Sequence, residues 1–271
     1  MILSVSHLTS YQYDTPMRAA VQSLRLFPSR FDGQRVISWE VSVEGGLRGG
    51  SFRDGAGDKV EGWSLRGPVS EVRVSVQGHV DTTDLAGVLR GHRETVNPLA
   101  YLRETTATWI DAGLRALAAE AVAGATDRLD RAHRISRAAS AAIAYRPGAT
   151  HAHTTAAEAL DLGEGVCQDH AHAVCAMARA EGMPARYVSG YLYARDDGEP
   201  HEAAHAWAEI WVEGIGWIGF DAANECCPDA RYIRLGSGLD AREAAPVKGV
   251  AQGLDAAERL DVTVALEAVQ Q

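Results

Sequence analysis

The sequence predicts an α+β protein, and three observations carry that prediction. Period-two alternation fills the first third of the chain. In VSEVRVSVQGHV (69–80), Val72, Val74 and Val76 fall on one face, with Glu71, Arg73 and Ser75 on the other. An Ala- and Leu-rich stretch over 99–144 then shows helical spacing and no strand pattern. Beyond it come a long helical pattern and several strand patterns in succession. Helices followed by an antiparallel meander mark α+β rather than a doubly wound sheet.

The elements follow in chain order. Residues 36–46 and 69–80 read as strands, and turns at GG, DGAGD and RGP punctuate this region. Short strands with such turns predict an antiparallel β-sandwich-like N-terminal domain. A change of character near Asn97-Pro98 places the boundary near residue 95, giving a strand domain over 1–95 and a second domain over 96–271. His7 and His79 stand alone and read as structural or solvated. Within the helical stretch, GATD (124–127) is a break, with Thr126 or Asp127 able to cap the next helix. HAHTTAAEAL reads as a short helix, GEG as a turn, and CQDHAHAVCAMARA as a long helix ended by Gly182 and Pro184. A strand starts near Ala185, two more are joined at EGIG, and DVTVALEAV (261–269) is a final strand.

Composition narrows the classes of function. With 46% hydrophobic residues in 271, the chain can bury a large core without disulfides. A formal charge of −10 argues against nucleic acid or an anionic membrane surface as the partner, since both need clustered Lys and Arg. Four cysteines do not make a disulfide framework, and Cys226 and Cys227 are adjacent and awkward to pair. The N-terminal residues lack a basic segment followed by an apolar run. The most apolar helical stretch, 114–125, is interrupted by Arg115 and Glu120. A cytoplasmic, reduced protein is expected.

The stretch GEGVCQDH points to chemistry. Gly163 and Gly165 allow a tight turn directly before Cys167. Ala171, Val174, Cys175 and Ala178 follow at helical spacing, so Cys167 stands at the start of a packed helix. Free N–H groups and the helix dipole favour an anion there, the form in which a thiol is a nucleophile. Cys175, two turns along on the packed face, reads as a small core residue. Cys226 and Cys227 read as loop residues without a catalytic role.

A nucleophilic thiol needs a base, and the base needs an orienting group. His151, His153, His170 and His172 read as structural or solvated, the last two lying off the packed face of the Cys167 helix. His205 is the better candidate. In HAWAEIWVE, Ala206, Ala208, Ile210 and Val212 form a core face, while His205, Trp207, Glu209 and Trp211 share the other, as in an active-site wall. The return strand ends at Asp221. Parity decides the orienter: a two-residue loop would pair His205 with Asn224, whereas an odd loop or a bulge brings Asp221 to the face of His205. An odd loop or bulge is the expectation.

Taken together, HTTAAEAL, GEGVCQDHAHAVCAMARAEGMPARYVSGYL, HAWAEIWVEGIGWIGFDAAN and PVKGV resemble the bacterial transglutaminase-like family, often described as cysteine proteases. The strand-rich first part is similar to the β domain that precedes this core in the family. The resemblance implies a papain-like, transglutaminase-like core of helices packed on an antiparallel sheet. It implies Cys167 as nucleophile, His205 as base and Asp221 as its orienter. One departure stands out: the family's Asp is followed by Pro-Thr-Asn, and here by Ala222-Ala223-Asn224.

The expected chemistry is acyl transfer from a peptide bond or glutamine side chain through a thioacyl-enzyme. Hydrolysis is favoured over transamidation, because many members of the superfamily are regarded as peptidases or amidases. The Cys167 N–H is a candidate oxyanion donor, and Gln168, Trp207 and Asn224 are candidate oxyanion or substrate contacts. The expected partner is a peptide or protein substrate, with no cofactor and no metal. Two other readings compete: a zinc site of Cys167, His170, His172 and Glu164, and a peptide-binding module without catalysis.

Overall fold

The computed structural model describes residues 1–193, 203–252 and 258–269. The elements are, in order, β1 (Ile2–Leu24), β2 (Gln34–Val43), β3 (Leu47–Arg53), β4 (Lys59–Thr82), α1 (Ala112–Val122), α2 (Arg128–Ala142), β5 (Ala144–Tyr145), α3 (Ala156–Leu162), β6 (Glu164–Gly165), α4 (Cys167–Ala180), β7 (Ala185–Leu192), β8 (Ala204–Val212), β9 (Gly216–Phe220), β10 (Tyr232–Gly238), β11 (Val247–Gln252) and β12 (Glu258–Val269).

The strand-rich region is antiparallel, as the alternation predicts. It is one continuous sheet in the order β11-β1-β4-β2, with β12 also on β1 and β3 also on β4. β1 and β4 run its whole length, and their register shifts between Gln12 and Ala19. On one side of that shift β1 pairs with β12, and on the other with β11. The alternating face is buried as expected, with Val72, Val74, Val76 and Val80 each at 0% exposure.

The C-terminal strands also join this first sheet. DVTVALEAV is a strand, but it pairs with β1, as does β11. The chain therefore returns to its first sheet after leaving the second. Periodicity reports that a segment is a strand and carries no information about its partner.

The second sheet has the order β10-β7-β8-β9, all antiparallel. Helix α4, with α2 beside it, packs on the face that carries Ala206, Ala208, Ile210 and Val212. Tyr191, Ile233 and Leu235 turn the other way and pack into the core of the first sheet. The starts of α1, α2 and α3 are fixed by caps: Asp111 accepts from Leu114 N, Asp127 from Asp130 N, and Thr155 forms a capping box with Glu158. Such a cap contributes about 1 kcal/mol.

Helix α4 is the centre of this half. The sequence predicts one packed face, but every residue of the helix from Asp169 to Arg179 is buried. Helices α1, α2 and α3 enclose it from the sides while β7 and β8 close its front. Ala171, Ala173, Ala176 and Ala178 give the small profile that lets neighbours approach on all sides. His170 and His172 are accordingly buried, at 2% and 1%, although they lie off the expected face.

Candidate active site

The start of α4 is built by the turn before it. Gly163 caps α3 in the left-handed conformation (φ 69°), which glycine adopts without steric penalty. Gly165 sits so close to Asp169 that an added Cβ would lie 2.7 Å from that side chain. Asp169 Oδ2 in turn accepts from Val166 N (2.8 Å) and from the Thr150 hydroxyl (2.6 Å). The chain is thereby fixed on both sides of Cys167, the first residue of the helix. Helix geometry leaves the first N–H groups without intrahelical acceptors, and Cys167 itself is partly exposed.

His205 lies near the start of β8 and reaches the thiol. The Cys167 thiol stands near enough to the ring to favour its protonated form, and Nε2 lies 2.6 Å from Asp221 Oδ2. The side chains of His205 and Asp221 are only 7% and 1% exposed. The hairpin explains how they meet. Val212 pairs with Gly216 and Ala208 with Phe220, so the loop is 213–215, an odd length. Asp221 and His205 therefore share a face, as the parity argument requires.

Asp221 carries more than the histidine. The Asn224 side-chain N–H donates to Oδ2 (2.7 Å), its backbone N–H to Oδ1 (3.2 Å), and the Tyr232 hydroxyl to Oδ2 (2.7 Å). A two-way bridge between Asp221 and Cys226 folds the chain back and brings Asn224 alongside. Asn224 and Asp221 are thus not competing orienters; the amide braces the carboxylate.

The electrostatics follow from these contacts. Burial alone would lower the basicity of His205, but bonds to Asp221 and Cys167 outweigh it and raise its pKa to about 10. Burial would likewise raise the Asp221 carboxyl, and the donors from His205, Asn224 and Tyr232 hold it below the ordinary range instead. Burial and the neighbouring Asp221 carboxylate push the Tyr232 phenol far up, so Tyr232 is a donor at any working pH. The remaining cysteines lack such surroundings. Burial pushes the thiols of Cys175 and Cys227 up to about 11 and raises that of Cys226.

The other candidate residues are placed as follows. Gln168 Nε2 donates to Ala152 O at 3.3 Å. Trp207 is 3% exposed and packs against the ring of Tyr232 at 5.5 Å, behind His205. The expected active-site wall along β8 is therefore reduced to His205. Glu209, two turns of the pleat away, is locked between Arg186 (2.6 Å) and Arg234 (2.8 Å), and Trp211 packs on Trp217. A polar strand face can serve a buried ion cluster as well as a cleft, and alternation alone does not distinguish them.

The four residues of the zinc reading point to separate partners. His170 lies between the carbonyls of Val166 and Ile143, His172 Nε2 accepts from Ala241 N, and Glu164 pairs with Arg146. Among the described residues no group of three His, Cys, Asp or Glu is placed to hold a metal ion. Tyr232 and Asp169 are the residues that sequence reasoning missed. An Asp three residues after a helix N-cap is a capping signal. Tyr232, in an apolar strand, gives no polar signal.

The fold and this cluster define a class: an α+β chain that sets a helix-start thiol against a histidine–aspartate pair. Residues 115–222 match the Transglutaminase-like superfamily, and residues 3–81 match the bacterial transglutaminase-like N-terminal region. An uncharacterized protein of Mycobacterium leprae is 31% identical over 97% of this chain and 97% of its own length. The chain belongs to the bacterial transglutaminase-like family. A protein-glutamine gamma-glutamyltransferase of Pseudomonas aeruginosa is 31% identical over 42% of this chain, and the match spans 19% of that protein. A solved structure from Cytophaga hutchinsonii, described as a putative cysteine protease, shares the fold over 100% of this chain and 92% of its own (TM-score 0.76, 21% identity). Among the described residues no helix is long and apolar enough to cross a membrane.

Proposed function

We propose that the protein is a thiol-dependent acyl-transfer enzyme acting on an amide of a peptide or protein, with Cys167, His205 and Asp221 as its triad. The observation that carries this reading is the chain of contacts from the Cys167 thiol through the His205 ring to Asp221 Oδ2. The sulfur, as thiolate, attacks the carbonyl carbon, and the backbone N–H of Cys167 at the helix start stabilises the developing oxyanion. The C–N bond breaks as His205 gives its proton to the departing amine. A thioester remains on Cys167. His205, now neutral, takes a proton from the incoming acceptor, whose attack releases the acyl group and restores the thiolate beside the protonated ring. Asp221 keeps Nε2 protonated and the ring in place throughout.

Water as acceptor gives hydrolysis, and an amine gives transamidation. Hydrolysis is the reading we favour. The similarity to a protein-glutamine gamma-glutamyltransferase supports the second reading, with a glutamine side chain as acyl donor.

The test is incubation of the full chain with a peptide library, with and without a primary amine, read by mass spectrometry. Cleavage or deamidation with unchanged products when amine is present supports hydrolysis. Amine-sized adducts on glutamine support transamidation. Each activity should vanish in Cys167→Ala. Product formation that survives Cys167→Ala overturns the proposal. So does iodoacetamide labelling of Cys167 no faster than that of the three other cysteines, which is the behaviour of a binding module.

A further inference from the structure

A groove on the first sheet takes no part in the chemistry at Cys167. It has a volume of about 580 Å³, and every residue over 36–42 lines it. Side chains alternate between faces along a strand. A groove that touches consecutive residues of β2 therefore runs along the edge of that strand. Among the described residues that edge is open, since β2 ends the pairing order with β4 on its other side. An unpaired edge presents backbone donors and acceptors to an added strand.

The walls of the groove discriminate by charge. Arg30, Arg48, Arg53 and Lys59 line it, against the carboxylates of Glu40 and Glu61. Glu61 is buried and already holds both Arg48 and Lys59. Arg30 and Arg53 are left over. The nearby acids Asp54 and Asp58 are engaged by Arg25 and Arg234. Arg53 donates to the Gly57 carbonyl at 2.7 Å. Burial and then the charge of Arg30 lower its pKa below the ordinary arginine value, against the opposing pull of Asp58 and Asp54. Trp63, also in the lining, is 9% exposed and its indole Nε1 has no hydrogen-bond partner. Trp39 and Phe27 add apolar wall between these donors. Four cations line the groove against two carboxylates, an excess of positive charge that complements an anionic, acceptor-rich ligand.

We propose that this groove binds an extended acidic peptide segment, which adds to the edge of β2 and sets its carboxylates against Arg30 and Arg53. The site is separate from Cys167 and stands whatever the outcome there.

Fluorescence anisotropy on the full chain tests it, in a Cys167→Ala background that keeps the probe intact. The probe is a labelled peptide of alternating Glu and Val, matched to the 10 residues of β2. Binding should weaken by at least about tenfold in Arg30→Ala/Arg53→Ala, since two charge-assisted contacts are lost. It should return in Arg30→Lys/Arg53→Lys, and fall as salt rises. A backbone N-methylated version of the peptide should bind more weakly. Equal binding by a Lys-Val peptide, by the N-methylated peptide or by an oligothymidine strand overturns the proposal. So does no binding, or a double variant that is folded by circular dichroism and binds unchanged.

Discussion

Strand β8 carries two buried ionic clusters within one face, and they differ in one respect. At Glu209 every charge has a partner. Glu209 holds Arg186 and Arg234, Arg234 also holds Asp58, and Arg186 also holds Glu94 while lying 4.0 Å over the ring of Trp217. At His205 the pairing with Asp221 is equally close, but the other side of the ring meets a partly exposed thiol. The first cluster joins the two sheets, because Asp58 comes from the loop before β4 and Arg234 from β10. The second ends at solvent. Burial and charge are common to both; a reactive group left with work to do is what separates a site from a joint.

The two clusters should come apart most clearly under substitution. His205→Ala removes the proton carrier, and the proposed activity should fall by about 10³-fold or more. Its effect on folding should be modest, because Asp221 keeps its bonds from Asn224 and Tyr232. Glu209→Ala leaves two arginines buried without their carboxylate and should cost about 3–5 kcal/mol of stability. Its activity per folded molecule should be retained. Urea unfolding and turnover on both variants check this. If Glu209→Ala loses activity while keeping stability, the joint is part of the site and the contrast fails.

The clusters should also weaken at opposite ends of the pH range. His205 holds its proton up to about 10 against an ordinary 6.5. Its ion pair therefore contributes fully below 6.5 and is lost as pH rises through about 10. Burial would raise Glu209, but Arg234 and Arg186 outweigh it and hold the carboxyl down to about 2 against an ordinary 4.5. That contribution is present above 4.5 and is lost as pH falls through about 2. The stability gap between wild type and His205→Gln should narrow in alkali, and the gap to Glu209→Gln in acid. Gaps that stay constant across pH would contradict both assignments.

Much of this was legible in the sequence, and the parts that were not have a common cause. The strands over 36–46, 69–80 and 261–269, the cap at Asp127, the α4 start and the two strands joined at EGIG follow from local periodicity and turn chemistry. The family resemblance points to Cys167, His205 and Asp221, and hairpin parity specifies the loop length that joins the last two. What escaped was pairing at long range. The return of β11 and β12 to β1, the partners of Glu209 and the reach of Tyr232 to Asp221 all link segments whose sequences do not encode one another. His170 and His172 were misplaced because an amphipathic pattern locates one packed face and cannot report that three other helices cover the rest.

Tyr232 gives the smallest and finest separation. Three donors converge on Asp221 Oδ2: His205, the Asn224 amide and the Tyr232 hydroxyl. Tyr232→Phe deletes one and leaves the ring that packs on Trp207. A single hydrogen bond of this kind is worth about 0.5–1.5 kcal/mol, so kcat should fall by up to about tenfold. Because Tyr232 acts through the carboxylate, KM should not change. Asn224→Ala should behave alike, and the double variant should lose more than the sum of the two, since Asp221 would then be held by His205 and the Asn224 position's backbone N–H alone. A Tyr232→Phe variant as inactive as Asp221→Ala, or one altered in KM, would place the hydroxyl against substrate and not behind the carboxylate.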